Sequence, residues 1–134
     1  MQIRELSESE LEQGYHLLST FRLDLTIEQY ETFLLACYPK DYRTIGALER
    51  GTLVVYAGVC IRENLELGRH LLIDDFVASE GYEHKSAEMI DFLNDYAKIH
   101  KCTCLIIFGK HQGLRLEDLE GFRPKRDGFI KMIP

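Results

Sequence analysis

"LLIDDFVASEGYEHKSAEMIDFLNDYAKIHKCTCLII" spans Leu71–Ile107, and its reading decides the fold. It opens on an apolar run, breaks at Ser79–Gly81, and then changes period. Ser86, Met89, Ile90, Leu93 and Ala97 fall on one stripe of a helix covering about residues 83–100. Another apolar run, "CTCLIIF", follows as a fully buried strand. Strand, helix, strand is a βαβ unit, so the two strands lie parallel and close.

The rest of the chain grows around that unit. Gln2–Leu6 reads as a first strand. Ser7 and Glu10 make a capping box, with Leu6 and Leu11 as its hydrophobic staple, ahead of a helix over about 8–19. Thr26 and Gln29 repeat the device, with Leu25 and Tyr30 as the staple. The second helix puts Tyr30, Phe33, Leu34 and Cys37 on one face and stops before Pro39. "YRTIGALE" and "LVVYAGVCI" are strands joined by "RG", and a turn around "RENLEL" leads to "GRHLLIDDFVAS". These three form an antiparallel meander. "QGLRLEDLE" is a short helix ended by Gly121, and "FRPKRDGFIKMI" is a last strand or a bent hairpin. The order is β-α-α-β-β-β-α-β-α-β, with no repeat and no linker, so residues 1–134 read as a single domain.

Composition narrows the function classes. Residues 1–97 hold 8 Lys/Arg against 18 Asp/Glu, and residues 98–134 hold 8 against 4. The acidic body argues against general nucleic-acid binding, which needs a dense basic surface. Arg115, Arg123, Lys125 and Arg126 gather near the closing segment, either as a solubilising surface or as a site for a phosphate or an acidic partner. No apolar run reaches the length of a membrane span. The N-terminus "MQIRELSESELEQ" is acidic and amphipathic, not leader-like, so the expectation is a cytoplasmic protein with reduced thiols. Cys102 and Cys104 flank Thr103, and in a strand both would point to one face. They read as core thiols, with no metal site expected.

The element order and the segments Leu71–Ile107 and "LEDLEGFRPKRDGFIKM" resemble the GNAT superfamily of acyl-CoA-dependent N-acyltransferases over nearly the whole chain. The resemblance implies an α/β (α+β) fold with a central mixed, mostly antiparallel sheet. Its central strand splits from the parallel neighbour in a V that takes the pantetheine arm of acetyl-CoA, here along Asp75, Phe76, Val77 and Ala78. The diphosphate is expected on backbone N–H groups at the start of the next helix, at His84, Lys85, Ser86, Ala87 and Glu88. Helix starts offer unpaired donors and partial positive charge, and glycine permits close approach.

The family's pattern there, Arg/Gln-x-x-Gly-x-Gly/Ala, departs at all three fixed positions. Glu83 stands for Arg/Gln, Ser86 for the first Gly, and Glu88 for the last Gly/Ala. Each carboxylate opposes a diphosphate by about 1 kcal/mol in water. The expected loss of acyl-CoA affinity is roughly tenfold to a thousandfold. Asp74 and Asp75 are adjacent on the central strand, so alternation puts one on each face. The one facing the cleft is a candidate general base, and hydrogen bonding to nearby loops is the competing role. The family's thiolate-protonating Tyr falls at Glu117, an ionised carboxylate at neutral pH. His111 is a further acid–base candidate. The expectation is therefore a GNAT-like protein with a degenerate acetyl-CoA site that serves as a binding or interaction module. The alternative is an active N-acetyltransferase acting on an amine of a small molecule or protein. Family resemblance further implies a homodimer through the closing strands.

Overall fold

A computed structural model describes residues 1–108, 113–125 and 128–134. Its elements in chain order are β1 (Gln2–Glu5), α1 (Leu11–Phe21), α2 (Ile27–Cys37), β2 (Tyr42–Glu49), β3 (Thr52–Asn64), β4 (Gly68–Ala78), α3 (Ser86–Ile99), β5 (Cys104–Phe108), β6 (Arg123–Lys125) and β7 (Gly128–Met132). The closing segment is a two-strand hairpin. The helix expected before it is a single 3-10 turn, Leu116–Leu119, ended by Gly121 at φ 86°. That positive φ suits glycine and stops the turn.

The strands form one sheet in the order β1-β2-β3-β4-β5-β7-β6. Every neighbouring pair is antiparallel except β4 and β5, the pair joined through α3. Both capping boxes are present: Glu10 accepts from the Ser7 N–H at 2.8 Å, and Thr26 accepts from the Gln29 N–H at 3.1 Å. Each satisfies donors that a helix start leaves open.

The sheet is covered on both faces. Met89, Ile90, Leu93 and Ala97 of α3 pack on Ile73, Phe76, Leu105 and Ile107. Leu17, Leu18 and Tyr30 of α1 and α2 pack on Leu48, Leu53, Tyr56 and Val77. Each large apolar side chain buried this way contributes about 1.5–3 kcal/mol. The cysteine expectation needs correction. Cys102 joins the α3-side core, whereas Cys104 lies with Ile106 and Ile130 on the opposite face. The strand starts only at Cys104, after Lys101 turns the chain at φ 61°, so strand alternation does not extend to Cys102.

Two irregularities in β4 position the functional region. Pairing with β5 runs from His70↔Cys104 to Ile73↔Ile107, and β4 then continues through Asp74–Ala78 without β5 beside it. On the other side, β3 pairs Val59 with Ile73 and Gly58 with Asp75, so Asp74 is an extra residue in a β-bulge.

Candidate functional site

The bulge corrects the strand-alternation expectation for the two aspartates. With one residue inserted, Asp74 and Asp75 both turn to the α1–α2 face. They form the floor of a cleft of about 650 Å³. Its walls are Leu18 and Phe21 of α1, Arg22, Asp24 and Leu25 of the α1–α2 connection, and Gln29, Tyr30 and Phe33 of α2. The α1–α2 connection is held by the Tyr15 hydroxyl, which donates to the Leu25 carbonyl at 3.1 Å. Phe33 meets the Tyr42 ring edge-on, with centroids 4.8 Å apart.

The Asp75 Oδ2 accepts from the Tyr42 hydroxyl at 2.8 Å. The Tyr42 and Tyr56 hydroxyls are 3.1 Å apart, and Tyr30 donates to Tyr56 at 3.0 Å. All three rings are buried. Two glycines make this possible. A side chain at Gly58 would collide with the Tyr42 hydroxyl, and one at Gly14 of α1 would press on the Tyr30 hydroxyl and the Tyr56 ring. Asp74 lies 3.8 Å from the Cys60 thiol, which donates weakly to it.

Burial raises the pKa of Asp75 above the ordinary carboxylate value. The Tyr42 hydrogen bond opposes that rise, the charge of Asp74 adds to it, and Arg22 opposes it. Burial raises Asp74 as well, against the Cys60 thiol and Arg62. Loss of hydration pushes Tyr30 up to about 12 and Cys60 up to about 11. Two carboxylates that hold protons more readily than usual, facing an aromatic-walled cleft, suit binding an ammonium and taking its proton.

The remaining candidates lie along the end of β4, in the loop and helix start after it, and in the closing segment. Phe76 is buried in the α3-side core, Val77 lines the cleft, and Ala78 is buried against Gly113. In the loop, the Glu83 carboxylate turns back and accepts from the Gly81 N–H at 3.0 Å. His84 is exposed and stacks on Tyr82, with centroids 6.2 Å apart. Lys85 and Glu88 form an ion pair at 3.7 Å. Ser86 is fully buried, and its hydroxyl donates to the Gly113 carbonyl at 2.9 Å. Ala87 is half-buried beside it. Glu117 is exposed, pairs with Arg115 at 2.8 Å, and is not among the residues lining the cleft. His111 and Arg126 lie outside the described residues.

For acyl-CoA, the edge of β4 past Ile73, which has no strand paired to it among the described residues, is the feature that fits an extended pantetheine arm. The loop fits the diphosphate less well, because the Glu83 carboxylate already occupies one loop N–H. Ser86, however, sends its side chain inward and does not stand in the anion's way.

Tyr42, Tyr56 and Gly58 do not stand out as site residues in the sequence. The one signal is Gly58 itself, a glycine inside a continuous apolar strand, which marks a close approach by another group.

No family model matches the chain. It is 29% identical over 129 residues to the uncharacterized N-acetyltransferase YhdJ of Bacillus subtilis, covering 92% of this chain and 87% of that protein. A putative acetyltransferase from Staphylococcus aureus superposes with a TM-score of 0.73 at 16% identity, over 100% of both chains. The PaiA N-acetyltransferase of Thermoplasma acidophilum, solved in complex with coenzyme A, gives a TM-score of 0.63 at 17% identity over 98% of both chains. By the course of its sheet, the parallel pair β4–β5 and these likenesses along its length, the chain has the fold of the GNAT N-acetyltransferases.

Proposed function

We propose that this protein is an acyl-CoA-dependent N-acyltransferase with a weakened grip on its donor. The acceptor is an amine held in the α1–α2 cleft, and Asp75 is the general base. The observation that carries this reading is the bulge that aims both Asp74 and Asp75 into one aromatic-walled cleft beside the edge of β4 past Ile73. A structural acid would need neither the cleft nor the second carboxylate beside it.

When bound, acetyl-CoA supplies a thioester carbonyl whose carbon–sulfur bond breaks as the amine nitrogen bonds to its carbon. The edge of Phe76, Val77 and Ala78 and the start of α3 from His84 to Glu88 would hold it. Asp74 and Asp75 attract the ammonium form of the acceptor. Asp75 then takes the proton that the nitrogen must lose, directly or through a water. Glu117, exposed and paired with Arg115, is assigned no part in protonating the departing thiolate. A thiolate is a tolerable leaving group near neutral pH, because an ordinary thiol ionises at about 8.5.

A second reading, a non-catalytic binding module, draws support from the Glu83 carboxylate sitting on the Gly81 N–H. It places an internal anion in the loop that would take the diphosphate. Thiol release from acetyl-CoA with a panel of primary amines separates the two. The enzyme reading expects amine-dependent release by the wild type and a loss of about 100-fold or more in Asp75→Asn. No amine-dependent release at millimolar acetyl-CoA supports the module instead.

A further inference from the structure

We propose that Tyr30, Tyr56 and Tyr42 form a one-way hydrogen-bond relay that orients the Asp75 carboxylate in the cleft and holds it ionised. Tyr42 and Tyr56 are thereby positioning residues for the base. This inference rests on the acyltransferase reading above for its catalytic meaning, but the relay itself is a property of the chain's own side chains.

The direction follows from donor arithmetic. An ionised carboxylate only accepts, so the Tyr42 hydroxyl spends its hydrogen on Asp75 Oδ2. Its oxygen then accepts from Tyr56, whose oxygen accepts from Tyr30. Each phenol donates once and accepts at most once, and the chain ends on the carboxylate. A proton placed on Oδ2 and directed at Tyr42 would force every link to reverse. Tyr30 would then need an acceptor, and among the described residues its hydroxyl bonds to Tyr56 alone. A buried hydroxyl without an acceptor is unfavourable. The relay therefore reserves Oδ2 and leaves Oδ1 as the oxygen that receives a proton from the cleft.

Among the described residues, few groups face Asp75. Asp74 shares its strand, Cys60 and Tyr56 lie on β3, Tyr42 on β2, Tyr30 on α2, and Arg22 and Asp24 on the α1–α2 connection. Arg62 of β3 acts on Asp74 and Cys60. Burial and Asp74 favour the neutral carboxyl, while Arg22 and the relay favour the charged one. Chains of hydrogen bonds polarise one another, so Tyr56 and Tyr30 strengthen the Tyr42 bond without touching Asp75. The two glycine clearances, at Gly58 and Gly14, are the space that lets three phenols meet in line.

The test is an NMR titration of the aspartate carboxyl carbons in the full chain, with Asp75 assigned by its loss in Asp75→Asn. Tyr42→Phe is expected to raise the Asp75 midpoint by roughly one pH unit, because a donor to the ionised form is removed. Tyr56→Phe should raise it by less, and Tyr30→Phe by less again. A role in packing alone would leave the midpoint in place, since each ring is kept. An unmoved midpoint in a folded Tyr42→Phe protein overturns the proposal. If Tyr42→Phe does not fold, Tyr56→Phe decides: it leaves the Tyr42–Asp75 bond intact, and an unmoved midpoint there overturns the relay. The titration uses neither acyl donor nor acceptor. Moved midpoints without any acyl transfer would retire the enzyme reading and keep the relay. Unmoved midpoints in an active enzyme would do the reverse.

Discussion

Asp75 shows how a single residue's surroundings set its chemistry. Burial holds its pKa above the ordinary value, so the native protein binds that proton more tightly than the unfolded chain does. The sign follows directly. The group's contribution to stability is complete below the ordinary carboxylate value, near pH 4, and is lost as pH rises through the raised one. Asp75→Asn removes this dependence and can still accept from Tyr42. Relative to wild type it should therefore gain stability between about pH 4 and pH 7, as urea denaturation at the two values would show. A constant difference between the proteins across that range would mean that Asp75 is ordinarily solvated. The residue types at this site were legible in the sequence: two adjacent acids on the central strand. Their shared direction was not, because a β-bulge is set by the pairing with β3, and Gly58 only hints at it.

Elements were more legible than their relations. Both capping boxes, the meander and the βαβ unit could be read from local chemistry, because each depends on neighbours a few residues apart. The loop between β4 and α3 was legible in sequence as a run of departures. How those departures are absorbed depends on partners that no spacing reveals. Ser86 is answered by Gly113, which is 27 residues away. Gly113 holds φ 84° and sits where a Cβ would come within 2.5 Å of the Ala78 side chain, so its backbone packs against the end of β4. Glu83 is the departure with a direct cost for an anion, since its carboxylate lies on a loop amide. Glu83→Gln removes that charge, and calorimetric titration should show coenzyme A binding about fivefold more tightly, the equivalent of about 1 kcal/mol. Unchanged affinity would place the diphosphate away from this loop.

At the scale of the molecule, the sheet separates two tasks. In the proposed function, the α1–α2 face carries the cleft for the amine, and the edge of β4 that is unpaired past Ile73 among the described residues leads the acyl donor to the start of α3. The two meet only at Asp74–Ala78, where β4 has left β5 behind. Helix and strand order, together with the segments Leu71–Ile107 and "LEDLEGFRPKRDGFIKM", made the fold family readable. The cleft was not readable, because it is assembled from β2, β3, β4, α1 and α2 together. The most direct test of the account is a crystal structure grown with coenzyme A. The account predicts the pantetheine arm along Phe76–Ala78, the sulfur reaching toward Asp75, and the diphosphate against the amides of residues 84–88. Coenzyme A bound elsewhere, or missing from that edge at millimolar concentration, would contradict it.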